Sequence, residues 1–204
     1  MRDSIRDEFN ALMKIGGSGE TAMELGWFDA AEESFIKATA LCEKLLQKTN
    51  LPQLARETVL RLQRVVRCHL AAVTYFQYSD SERVIQLLEK VSESDCASLA
   101  LLGVSQFRMH HRKEAFQTLR GAYQHRANIL NAADWKQTAF TEGMIRLAQM
   151  YFEGIPHEME PDPTSAFEVL RNALKSVTDQ DMVYLLLKEI NGRNHPKVHL
   201  HGII

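Results

Sequence analysis

The sequence predicts an all-α protein built as a stack of about four helical hairpins. Three observations carry this. Apolar residues recur with a 3.6-residue period from residue 29 to residue 191. Only five prolines and ten glycines interrupt a chain rich in Leu, Ala, Glu, Gln and Arg. Small residues recur at related positions along the chain, where helices that fold back on each other cross most closely.

The clearest hairpin spans residues 98–123, SLALLGVSQFRMHHRKEAFQTLRGAY. Leu99, Leu102 and Phe107 mark the apolar face of its first helix, Phe116 and Leu119 that of its second. A polar turn at His110, His111 and Arg112 joins them. Gly103 and Ala115 fall at the expected crossing, where a larger side chain would push the axes apart.

The same spacing repeats, with Ala115, Leu119 and Ala122 serving as the ruler. Its counterparts are Ala31, Phe35 and Ala38, then Val84, Leu88 and Val91, then Ala166, Leu170 and Ala173. Twelve residues upstream of the first three sets stand Gly19, Ala72 and Gly103, all small. This pattern resembles the tetratricopeptide repeat (TPR), a helical hairpin that stacks on copies of itself, over roughly residues 12–174. The fourth copy, with Leu147, Ala148, Tyr151, Gly154 and Asp162, is similar to the Sel1-like relative, whose loop between helices is longer. The resemblance implies a right-handed α-solenoid of about four TPR/Sel1-like hairpins with terminal capping helices.

Each element has its own signals. Residues 1–25 read as an N-terminal helical segment with a glycine-rich break, because Gly16, Gly17 and Gly19 each cost up to ~1 kcal/mol in a helix interior. Residues 26–177 form the repeat array. Asp29 is placed to cap a helix reaching about residue 48, and Pro52 opens a long helix reaching about residue 78. Ser79 with Glu82, and Ser92 with Asp95, read as capping boxes. The helix after Arg112 is expected to reach about Asn131, Asp134 opens the next, and Asp162 with Pro163 starts another. Thr178 with Asp181 caps a last apolar helix, residues 178–192, that would seal the array, and 193–204 form a tail.

Composition narrows the function. A formal charge of −2 disfavours a nucleic-acid binder driven by bulk charge. Cys42, Cys68 and Cys96 have neither pairing parity nor metal-ligand spacing and read as buried thiols in a reducing compartment. The N-terminus is charged where a signal peptide is apolar, and the longest apolar run, residues 182–187, is too short for a bilayer. The expectation is a soluble, intracellular protein, cytoplasmic or nuclear, with no membrane partner.

No catalytic arrangement is legible, so the chain reads as a non-enzyme with no cofactor and no metal. His110 and Glu114 form one i,i+4 pair at a solvated turn without a third ligand, and His195, His199 and His201 sit in the tail. Gly16–Gly19 lacks the Lys-Ser/Thr of a phosphate-binding loop.

The resemblance implies that the first helix of each hairpin lines a groove holding a partner peptide or amphipathic helix. Register places Met23, Phe76, Phe107 and Phe152 at equivalent groove points. Their neighbours are His69, Val104, Arg108, Ile145, Gln149 and Glu153. The same rings could instead pack between hairpins. Arg61, Arg64 and Arg67 recur every three residues and form a possible stripe for an anionic partner, or else a solvated face paired with Glu57. The family's clamp for acidic chaperone tails is missing, since the matching positions hold Gly16, Glu20, Val73, Ala100 and Val104. The expected function is a protein-interaction scaffold or adaptor binding another protein, with self-association into a homo-oligomer a further option. Rival readings are a chaperone for a secreted or assembly client and a fragment of a larger regulatory TPR protein, similar in style to those of meiotic crossover control. A nucleic-acid-binding regulator is the third.

Overall fold

The structure, a computed structural model, describes residues 2–89 and 95–176. Among these residues it is all-helical, with eight α-helices and no strand. No helix there is long and apolar enough to cross a membrane. The chain divides between Ser92 and Glu93 into two compact units. The expected helix 178–192 and tail 193–204 lie outside the described residues.

The first unit holds α1 (Arg2–Glu24), α2 (Phe28–Leu46), α3 (Gln53–Val73) and α4 (Ser81–Leu88). α1 and α2 form a hairpin, α3 packs on α2, and α4 packs on α3. On α2 the buried positions are Ala31, Phe35, Ala38, Cys42 and Leu45, a four-three alternation that turns one stripe inward.

The expected break at Gly16–Gly19 does not occur: α1 runs through it. Gly19 explains why. A β-carbon there would stand 2.6 Å from the Phe35 ring, so the glycine is the hollow into which that ring fits. Gly16 and Gly17 meet nothing within 4 Å and only add a propensity cost. The boundary expected near residue 25 is therefore the hairpin turn, with Gly26 at φ +75°.

Other signals are re-used rather than read as expected. Asp29 caps nothing, because α2 begins one residue earlier. Its carboxylate instead accepts from Gln77 Nε2 at 2.6 Å and Tyr78 Oη at 3.1 Å, and Tyr78 Oη also reaches Glu32 at 2.8 Å. These bonds fasten α2 to a π-turn, Thr74–Tyr78, that ends α3. Ser79, expected as a cap, is left-handed at φ 53°, and Asp80 caps α4 by accepting from the Arg83 N–H at 3.0 Å. Arg56 closes the other end of α2, donating to the Leu46 and Lys48 carbonyls at 2.9 and 3.0 Å.

The second unit holds α5 (Cys96–Arg108), α6 (Arg112–Gln124), α7 (Asp134–Glu153) and α8 (Pro163–Ser176). α5 pairs with α6, α7 packs across α5 and α6, and α8 packs on α7. Asp95, expected as the partner of a cap at Ser92, is itself the cap of α5, and Ser92 lies outside the described residues. Asp95 and Asp162 each accept from a main-chain N–H and from the hydroxyl of Ser98 or Ser165. α6 ends at Gln124 rather than near Asn131, and a 3₁₀ turn, Arg126–Asn128, follows. The loop after α7 closes on itself: Gly154 takes φ +70°, and Ile155 and Met159 exchange main-chain hydrogen bonds of 2.9 Å.

Candidate functional site

α5 packs closely on α6 at Gly103 and on α7 at Gly143. A β-carbon on Gly103 would stand 2.5 Å from Leu119 Cγ, and one on Gly143 would stand 2.8 Å from the Ala100 β-carbon. The approach at Gly143 sets the facing surfaces of α5 and α7 side by side. Their outer turns, with the start of α6, bring Phe107, Arg108, Arg112, Glu142, Arg146, Gln149 and Glu153 together.

Phe107 is half-buried and stands between two cations. The Arg112 and Arg146 guanidinium carbons lie 5.5 and 5.6 Å from its ring centroid, within cation–π range. A chain of polar contacts runs around the ring. Arg108 Nη2 donates to Glu142 Oε1 at 3.0 Å, and Arg146 Nη2 lies 4.0 Å from the same oxygen. Arg146 Nη1 donates to Gln149 Oε1 at 3.1 Å, Gln149 Nε2 to Glu153 Oε1 at 2.7 Å, and Arg112 Nη2 to Glu153 Oε2 at 2.6 Å. Single exposed ion pairs contribute little, but a continuous network holds its inner members in place. The Arg146 Nε–H is buried with no acceptor.

Of the ten groove positions expected from register, Val104, Ile145 and Phe152 are buried in this unit, and Met23 is buried in the first. They are core rather than open wall. The Phe152 ring meets the Phe167 ring edge-on at 5.2 Å, because α8 covers it. His69 is packed too: its ring stacks on Phe35 at 5.2 Å, Nδ1 sits 3.0 Å from the Val65 carbonyl, and Nε2 is 3.8 Å from Glu20. Phe76 lies half-buried in the π-turn, its edge against Tyr75. Phe107, Arg108, Gln149 and Glu153 are the expected residues that meet on one accessible face.

The arginine stripe divides. Arg61 and Arg64 are exposed, whereas Arg67 turns inward, half-buried near Cys42. Burial pushes the Cys42 thiol up to about 11 and outweighs the Arg67 charge, which acts the other way. Burial also raises Cys96, so neither thiol is a ready nucleophile. Glu57, the expected partner of the stripe, accepts from Gln53 Nε2 at 3.0 Å instead.

Sequence reasoning missed Arg112, Glu142 and Arg146, which frame Phe107. Glu142 and Arg146 stand i,i+4 on one helix, a signal present in the sequence. Comparison of the chain with protein-family models, with curated proteins and with solved structures gives no match.

Proposed function

We propose that the chain is a non-catalytic scaffold of the TPR type that binds a segment of another protein on the α5/α7 face. The observation that carries this is the half-buried Phe107 ring held between two networked arginines. Aromatic and arginine side chains that are already fixed lose little freedom on binding, which is how interface anchors are made. The groove of this reading is narrower than register suggests, running over Phe107, Arg108, Gln149 and Glu153. A second feature supports the repeat. Gly19 against Phe35 and Gly103 against Leu119 are the same close contact at the same sixteen-residue spacing. We place its work inside the cell, in the cytoplasm or nucleus.

Site-specific photo-crosslinking tests the reading. A benzophenone amino acid at position 149 should capture a discrete partner protein in cells, and the adduct should vanish when Phe107→Ala is added. The same probe at Leu130, an exposed position elsewhere on this unit, serves as control. Identical adducts from both positions would count against the site.

A further inference from the structure

Among the described residues two aromatic side chains are exposed, and both lie at one end of the first unit. Trp27 is 63% exposed, in the turn between α1 and α2, and Tyr78 is 45% exposed, at the end of the π-turn that follows α3. Leu25, in the same turn as Trp27, is 56% exposed. Contacts join the two turns: Asp29, two residues after Trp27, accepts from both Gln77 and Tyr78. Trp and Tyr are the side chains enriched where a partner sits, and here no described residue covers them.

The charge around these rings has one sign. Glu24 closes α1, Asp29 and Glu32 lie in the first two turns of α2, and Asp80 and Glu82 open α4. The last turns of α1 and α3 carry no basic residue. Arg83 is the cation here, and it pairs with Glu32 at 2.8 Å, while Glu33 is offset by Lys37. Glu24, Asp29, Asp80 and Glu82 form no ion pair with a described side chain. Asp29 is held by neutral donors, so its charge is not cancelled. The same negative field acts on Tyr78: Glu32 first, then burial and Asp29, push its hydroxyl up to about 12. The C-termini of α1 and α3 meet the N-termini of α2 and α4 at this end, so the helix dipoles offset and the side chains set the sign.

We propose that this aromatic, acidic end docks a segment of a partner protein that carries arginines beside apolar side chains. Charge complementarity selects the occupant. Nucleic acid and anionic lipid surfaces are repelled, whereas a guanidinium can lie over an aromatic ring and form paired hydrogen bonds with a carboxylate. Leu25 adds apolar area for a neighbouring side chain of the segment. This site stands independently of the Phe107 face.

The test uses the full chain and a fluorescein-labelled synthetic peptide of Arg, Leu and Ser, beside the same peptide with every Arg exchanged for Glu. Fluorescence anisotropy should show saturable binding of the Arg peptide, about tenfold or more tighter than the Glu peptide. Trp27→Ala should weaken it about tenfold or more, and Glu24→Gln with Glu82→Gln about fivefold or more. Circular dichroism should not change, because all three side chains are exposed. Glu168→Gln, a charge loss on exposed α8 surface, and Phe107→Ala should leave binding unaltered, which separates this site from bulk charge and from the other face. Equal binding of the two peptides, no saturable binding, indifference to Trp27→Ala, or a like loss with Glu168→Gln would overturn the proposal. So would binding of labelled oligothymidylate that Trp27→Ala abolishes, or a dimer of the free chain that Trp27→Ala dissolves.

Discussion

Gly103 and Leu119 share one crossing so closely that a β-carbon on the glycine would stand 2.5 Å from Leu119 Cγ and 2.6 Å from Cδ2. The Ala115 carbonyl lies 3.4 Å away, so backbone bounds the same space. Leu119 has no exit, since it is fully buried and its Cδ2 also lies against Gly143.

Gly103→Ala should therefore destabilise the chain by about 1–3 kcal/mol, although alanine is the better helix former. A lowered urea midpoint with an unchanged slope checks it. Ala115→Leu should act alike for the same reason. Adding Leu119→Ala to Gly103→Ala should cost less than the two single losses together, because the new methyl then enters the vacated space.

The glycines of α1 should behave in opposite ways. Gly16→Ala and Gly17→Ala, facing open space, should each raise stability by about 0.5–1 kcal/mol. Gly19→Ala should lower it, because the Phe35 ring must shift. Thermal unfolding of the three variants distinguishes this helix from a broken one, in which all three substitutions would be nearly neutral.

Glu8 gives the first unit an acid limb. Lys48 first and Lys44 second hold its carboxyl below the ordinary value of 4.5. A lowered folded-state pKa means the unfolded chain takes up the proton first, so the stabilisation is complete above 4.5. It is lost as pH falls through the depressed value. Glu8→Gln should be less stable than the parent at neutral pH, and the two should converge below that window. Urea unfolding across the acid range checks it, and parallel profiles would contradict the assignment.

The helical architecture was legible because its signals are local. Apolar period, Asp162 and the small residues at Gly103 and Ala115 act within one hairpin. What escaped was set by neighbours distant in sequence. Gly19 reads as a helix breaker until Phe35 is seen beside it. Phe152 and Phe107 look equivalent by register, yet α8 lays Phe167 on the first, while arginines from α6 and α7 frame the second. His69 was read as groove lining, but the α2 side chain that stacks on it lies more than thirty residues earlier.

The central claim is that Phe107 serves a partner rather than the core, and one paired measurement tests it. The dissociation constant of Phe107→Ala for the partner captured at position 149 is measured beside its urea midpoint. Burying such a ring is worth about 1.5–3 kcal/mol before ordering costs are subtracted, so the affinity should fall by about tenfold or more. The midpoint should stay close to that of the parent. A collapsed midpoint with unchanged affinity of the folded fraction would make Phe107 a core residue and contradict the account.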